Sequence, residues 1–247
     1  VIDMDVIFGK IPVLNALENT KKPKVVYLLN TSPDNKIRYM CEKNSVRYDL
    51  APKQVLEKYA GRGMNTQGVV ALIDPYEYKD FDEELDKVLK KKNPLVLMLD
   101  EIQDPVNFGS AIRSSAAFGV DFIIVGKNRQ VGVTPTVVKI STGGSEYVPI
   151  VQVTNLSRTL DELKEKGFWT VGAAGEGDRY YDEVDYNGPI CLVIGNEGKG
   201  ISMMLKKRCD FIAKIPMTTN ITSLNAAVAT AVFLAGIVSY RRKNSAE

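Results

Sequence analysis

The sequence predicts an α/β protein built on a mainly parallel sheet, and three observations carry that prediction. Short apolar, β-type runs recur along the last two-thirds of the chain: 95–99 (LVLML), 121–125 (DFIIV), 148–153 (VPIVQV), 168–174 (FWTVGAA), 190–195 (ICLVIG) and 211–215 (FIAKI). Segments with helical periodicity separate several of them. β-type runs alternating with helices are expected of a mainly parallel sheet covered on both faces.

Taken in order, the chain divides into two blocks with a charged joint. The first, residues 1–75, holds β-type runs at 25–29 (VVYLL) and 69–73 (VVALI), with helical or turn segments between them. Residues 76–93 read as a linker. Within it Phe81, Leu85, Val88 and Leu89 recur at helical spacing among charges, so an amphipathic helix leads into the second block. Lys90, Lys91 and Lys92 at its end either complement the helix dipole or touch phosphate. The second block, 94–247, opens with the strand at 95–99. A helix from Phe108 to Phe118 follows, with Asn107 in N-cap position and Gly119 as its C-cap. Asn155 caps a helix that ends near Gly167, and a final helix starts at Ser223. The stretch from Leu224 to Val238 falls short of the roughly 20 apolar residues of a membrane span. It reads as a buried or interface helix.

Composition narrows the chemistry. The chain has 247 residues, 45% hydrophobic and 25% charged, an ordinary globular balance. A formal net charge of +2 leaves any nucleic-acid contact to a local patch. There is no histidine, which excludes Ser-His-Asp and Cys-His catalysis, His-ligated zinc and a histidine base. Cys41, Cys191 and Cys209 form no CxxC, so no metal site is expected. The opening VIDMDVIFGK does not read as a signal peptide, and a cytoplasmic protein is expected.

In open α/β sheets ligands bind beyond the carboxyl ends of the strands, and four such ends carry unusual residues. After 95–99 comes DPVNFGSAIR. Arg113 lies four residues beyond Gly109, so its guanidinium can lie over a bare patch toward the helix mouth. A capped helix with a surface arginine fits the same residues. GAAGEG (172–177) and GNEGKG (195–200) are glycine loops that allow close backbone approach to a ligand, yet neither matches a Rossmann or P-loop fingerprint. Glu197 in the second would repel phosphate and suits a hydroxyl, an ammonium or an arginine. After 211–215 comes IPMTTNITSLN, where Ser223 reads as a helix cap and Asn225 as a polar residue in the first turn of an apolar helix.

In order and spacing, NFGSAIR, VIGNEGKG and IPM…SLNAAVA resemble the three motifs of the SpoU (TrmH) family of RNA ribose 2′-O-methyltransferases, in the SPOUT superfamily. IFGKIPVLNAL and MNTQGVVAL look like the start and end of the small domain that precedes the catalytic domain in its ribosomal RNA branch. Thr66 and Tyr147 stand where that branch often has histidine. The resemblance implies a small ribosomal-protein-like α/β domain that binds RNA, followed by a sheet with a deep trefoil knot, in a homodimer. It implies S-adenosylmethionine as cofactor, contacted by Ala173, Gly175, Gly195, Gly200, Ile215, Met217 and Leu224. It also implies a catalytic set of Arg113, Asn107, Glu197, Ser223 and Asn225. The expected reaction is methylation of a ribose 2′-hydroxyl, foremost of a guanosine in 23S ribosomal RNA, with transfer RNA as the alternative substrate. A non-catalytic RNA-binding protein is the other alternative. Lys21, Lys22, Lys24, Arg241, Arg242 and Lys243 are candidate phosphate contacts.

Overall fold

The computed structural model describes residues 4–219 and 223–244, and the chain separates into two compact units. The smaller comprises the described residues up to Glu77 together with 133–139, a later segment that returns to it. Its elements are β1 (Asp5–Phe8), α1 (Lys10–Glu18), β2 (Val25–Leu29), α2 (Asn35–Lys43), β3 (Tyr48–Ala51), α3 (Lys53–Ala60) and β4 (Val69–Ile73). The strand order is β1-β4-β2-β3, with β2 and β3 parallel and the remaining pairs antiparallel. Val13, Leu17, Val26, Leu28, Ile37, Cys41 and Val69 form one side of its core. Strand β3 lies where the sequence suggested only helix or turn, and β1 was not marked by it. Each has just four residues, too few for a period to register. The returning segment is tied in by Asn15 Nδ2, which donates to Thr136 Oγ1 at 3.2 Å, and by Asn19 Nδ2, which donates to the Pro135 carbonyl at 3.0 Å.

The larger unit begins at Tyr78. Helix α4 (Phe81–Val88) belongs to it: Leu85 and Val88 are buried in its core and Phe81 packs against them, so residues 76–93 are more than a linker. The chain continues through β5 (Leu95–Leu99), α5 (Pro105–Ala117), β6 (Phe122–Gly126), α6 (Pro135–Ser141), most of which is the segment that returns to the smaller unit, α7 (Gly144–Tyr147), β7 (Ile150–Val153) and α8 (Leu156–Glu165). It ends with β8 (Trp169–Ala173), β9 (Arg179–Tyr180), β10 (Ile190–Ile194), α9 (Met203–Lys206), β11 (Phe211–Lys214) and α10 (Ala226–Asn244). The sheet order is β7-β6-β5-β10-β8-β11-β9, and every pairing is parallel. Strands β5 and β10 are buried at every position, which explains their unbroken apolar runs. No helix among the described residues is long and apolar enough to cross a membrane.

Three helix ends differ from the sequence reading. Asp104, not Asn107, is the N-cap of α5: its carboxylate accepts from the backbone of Val106 and Asn107, and Pro105 follows at the first helical position. At the other end Phe118 is the C-cap, and Gly119 takes the left-handed φ of +71° just beyond it. Asn225, not Ser223, caps α10, accepting from Ala227 N at 2.9 Å and Val228 N at 3.3 Å.

Candidate functional site

The carboxyl ends of β8, β10 and β11 open onto a cavity of about 760 Å³ in the larger unit. Three loops make its walls. The first follows β8, where Ala174 N bonds the Ala213 carbonyl and a Cβ on Gly177 would come within 2.6 Å of the Ile212 carbonyl oxygen. The second, after β10, folds back on itself. Asn196 N bonds the Gly200 carbonyl at 3.1 Å, and Gly200 N returns the bond at 2.8 Å. Asn196 Oδ1 accepts from Gly198 N and Lys199 N, while its Nδ2 donates to the Glu101 carbonyl at 2.9 Å. Gly195 lies so close to this return that a Cβ there would sit 2.1 Å from the Gly200 carbonyl carbon. The third wall runs from β11 through Ile215, Pro216 and Met217, then from Ser223 into α10; residues 220–222 lie outside the described residues.

All seven residues expected at the cofactor line this cavity: Ala173, Gly175, Gly195, Gly200, Ile215, Met217 and Leu224. The lining has two characters. Ile194, Ala213, Pro216, Ala226, Ala229 and Phe233 offer apolar surface, whereas Glu176, Glu197, Lys199 and Lys206 are charged. Glu176 and Lys206 form an ion pair, and that hydrogen bond holds the Glu176 carboxyl below its usual range. Sequence reading took in the glycine loop holding Glu176 but missed the pair, because its partner lies on another element. It also missed Asp104, although Asp followed by Pro is a readable helix-start signal.

Of the expected catalytic residues, Glu197 and Ser223 line the cavity, and two others are joined to Glu197. Asn107, buried in the first turn of α5, donates from Nδ2 to Glu197 Oε1 and accepts at Oδ1 from Asn225 Nδ2 at 2.7 Å. Segments at the ends of three strands thus meet in one hydrogen-bonded row. The row fixes which way the Asn107 amide points, since its oxygen faces a donor and its nitrogen faces a carboxylate. Asn225 itself is exposed rather than buried in an apolar helix turn. Arg113 stands apart: it is exposed on α5, is not part of the cavity lining, and has no hydrogen-bond or ion-pair partner among the described residues. Gly144 in α7 lies against its backbone, where a Cβ would be 3.2 Å from the Arg113 Cα.

Several candidate phosphate contacts are engaged elsewhere. Lys22 Nζ bonds the Leu17 carbonyl at 2.7 Å, and Lys24 pairs with Asp74 at 2.9 Å. Lys91 pairs with Asp121. Arg241 is spent on structure: its guanidinium donates to the backbone carbonyls of Tyr186, Asn93, Pro94 and Gly188. No cluster of three or more His, Cys, Asp or Glu among the described residues could hold a metal ion.

Comparison with known proteins places this geometry. Residues 94–235 match the model described as SpoU rRNA Methylase family, and residues 6–79 match RNA 2′-O ribose methyltransferase substrate binding. The chain is 38% identical to the Bacillus subtilis protein YacO, which is named as a TrmH family tRNA/rRNA methyltransferase, over 97% of this chain and 96% of that one. A TrmH family tRNA/rRNA methyltransferase from Staphylococcus haemolyticus is 40% identical, covering 85% of this chain and 83% of its own. Among solved structures, the SpoU methyltransferase AviRb from Streptomyces viridochromogenes in complex with AdoMet superposes with a TM-score of 0.64. That match has 26% identity and covers 97% of this chain and 91% of AviRb.

Proposed function

The chain belongs to the SpoU rRNA methylase family and is an RNA ribose 2′-O-methyltransferase, and from that premise we propose that it methylates ribosomal RNA, foremost a guanosine of 23S RNA, using the residues assembled above. The observation that carries the reading is the row Glu197–Asn107–Asn225 set against a cavity walled by all seven expected cofactor residues.

The cavity fits S-adenosylmethionine in size and in chemistry. About 760 Å³ lies in the range of small-molecule sites. Its apolar wall suits an adenine ring, its close-folded loops present backbone groups, and its charged wall suits a polar tail. When bound, this cofactor supplies a sulfonium methyl group as the electrophile for the ribose 2′-oxygen. The chain's own task is to orient that hydroxyl and to stabilise the charge that develops on it. An arginine stays protonated under ordinary conditions and is a poor base. Arg113 therefore acts electrostatically on the 2′-oxygen, and a phosphate oxygen or water accepts the proton. Asn107 and Glu197 orient the ribose or the arginine, and Ser223 and Asn225 complete the polar rim. Arg113 is left available to an incoming ribose and its phosphate because nothing described occupies it.

The small unit, which matches a substrate-binding family over residues 6–79, supports ribosomal RNA over transfer RNA. We also propose a homodimer with a knotted catalytic sheet. Val106 and Val228 are 55% and 48% exposed on α5 and α10, two helices that pack together, and they leave apolar surface for a second copy. The test is methyl transfer from labelled S-adenosylmethionine to unmodified ribosomal and transfer RNA, followed by nucleoside digestion. Label in a 2′-O-methyl nucleoside from ribosomal RNA is the expected result. Label only in transfer RNA would move the substrate to the alternative. Arg113→Ala is expected to lower kcat about 100-fold, roughly 2.7 kcal/mol, with cofactor affinity intact. Near-normal turnover in that variant would remove Arg113 from the site.

A further inference from the structure

Resting on the reading of this chain as an RNA methyltransferase, we propose that Arg129 is a substrate-binding residue which grips an RNA phosphate, and that Glu101 aims it. Arg129 lies in the loop after β6 and Glu101 in the loop after β5, both at the carboxyl edge of the sheet. Arg129 Nε pairs with Glu101 Oε1 at 3.1 Å. The Glu101 side chain is 23% exposed and the arginine 69%, so the acid is seated and the base projects. The closest contact runs through Nε, and neither terminal nitrogen makes a hydrogen bond among the described residues, so the two present a fork that suits a phosphate.

An ordinary surface ion pair would also bring these atoms together. The backbone argues for more. Both residues have left-handed conformations, Glu101 at φ +59° and Arg129 at φ +53°, although neither is glycine. Such conformations cost free energy and persist where surrounding contacts over-determine them, often at functional sites. Here the two loops are laced together: Gln130 Oε1 accepts from Ile102 N at 2.9 Å, and Val131 N donates to the Ile102 carbonyl at 2.9 Å. The Glu101 carbonyl is held in turn by Asn196, a residue of the cofactor cavity. One residue thus contacts the cavity wall through its backbone and the arginine through its side chain. Three residues on, the same loop reaches Asp104 and the helix that carries Asn107. Lys127 is exposed two residues before Arg129 and adds positive charge to the same loop. A polyanion whose ribose enters beside Glu197 would find this fork already turned outward.

The experiment measures the affinity of the full-length protein for unmodified, transcribed large-subunit ribosomal RNA across a salt series, beside steady-state methyl transfer. Arg129→Gln is expected to raise KM for RNA about tenfold, with the loss in KM rather than kcat, and to reduce the slope of log affinity against log salt by about 0.7–0.9. Arg129→Lys restores the slope but only part of the affinity, because an ammonium lacks the fork. Glu101→Gln keeps the slope and weakens binding about threefold, since the charge remains but is no longer aimed. Binding of S-adenosylhomocysteine and thermal unfolding, measured on each variant, report the integrity of the cavity and the fold. If native protein binds and methylates RNA while Arg129→Gln leaves slope and KM unchanged, the arginine proposal is overturned and the methyltransferase reading stands. If native protein binds RNA with the expected Arg129 dependence but transfers no methyl group, the methyltransferase reading falls and the contact stands. Absence of RNA binding by the native chain would overturn both.

Discussion

The two ends of the seven-stranded sheet are built by opposite means. At the amino end, side chains close off the backbone. Arg241, in the last turns of α10, donates to four carbonyls that lead into β5 and β10. Asp121 accepts from Leu95 N at 2.8 Å at the start of β5, and Asp210 accepts from Thr170 N and Oγ1 at the start of β8. At the carboxyl end, glycines let the backbone fold close on itself, leaving a cavity. The contrast teaches that one sheet keeps stability and function apart along its strands. Substitutions at the amino end should unfold the protein before they alter its chemistry, and those at the carboxyl end should do the reverse.

The largest expected effect breaks the carboxyl end alone. Gly195→Ala places a Cβ about where the Gly200 backbone runs, an overlap no rotamer change can relieve because the obstacle is main chain. Calorimetry with S-adenosylhomocysteine should show affinity reduced at least 100-fold, about 2.7 kcal/mol or more, while circular dichroism still reports the native helix and strand content. Normal binding in this variant would mean that the 195–200 return is not the cofactor wall. The next effect tests the amino end. Arg241→Ala leaves carbonyls without their donor and should cost about 3 kcal/mol. For a chain of this size that corresponds to roughly 6–12 °C in Tm. The folded fraction should bind cofactor normally. Equal losses of stability and cofactor affinity in that variant would erase the distinction between the two ends.

That contrast was only half legible in the sequence. The carboxyl end could be read because its signals are local: glycines clustered after an apolar run, and motifs whose order resembles a known family. The amino end could not, because Arg241 reaches partners 147 residues and more away, at Asn93 and Pro94, and beside Arg242 and Lys243 reads as a candidate phosphate contact. The same limit hid the return of residues 133–139 to the smaller unit and the two-residue strand β9, both fixed by contacts distant in sequence. Cap positions were misplaced at Asn107 and Ser223 for another reason. Asp104 and Asn225 lie two or three residues away and are equally good caps, so composition alone does not choose between neighbours.

The smallest expected effect sharpens the comparison by pH. Burial pushes the Asp210 carboxyl up, but the Lys164 ammonium, at 2.8 Å, and the two Thr170 donors outweigh it, and the group is held below the usual carboxylate range. A carboxylate depressed in the folded state contributes stability that is fully present above its unfolded pKa, about 3.9, and is lost as pH falls through the folded value. Asp210→Asn should therefore lower stability by about 1–2 kcal/mol at neutral pH. The gap from the native protein should stay constant down to about pH 5 and close below pH 4, as the native carboxylate takes up its proton. Cofactor affinity, set at the far end of β8 and β11, should not follow that curve. A stability gap that widened toward acid would mean that Asp210 is neutral in the folded protein, and that its bonds to Lys164 and Thr170 do not hold the amino end as the structure describes.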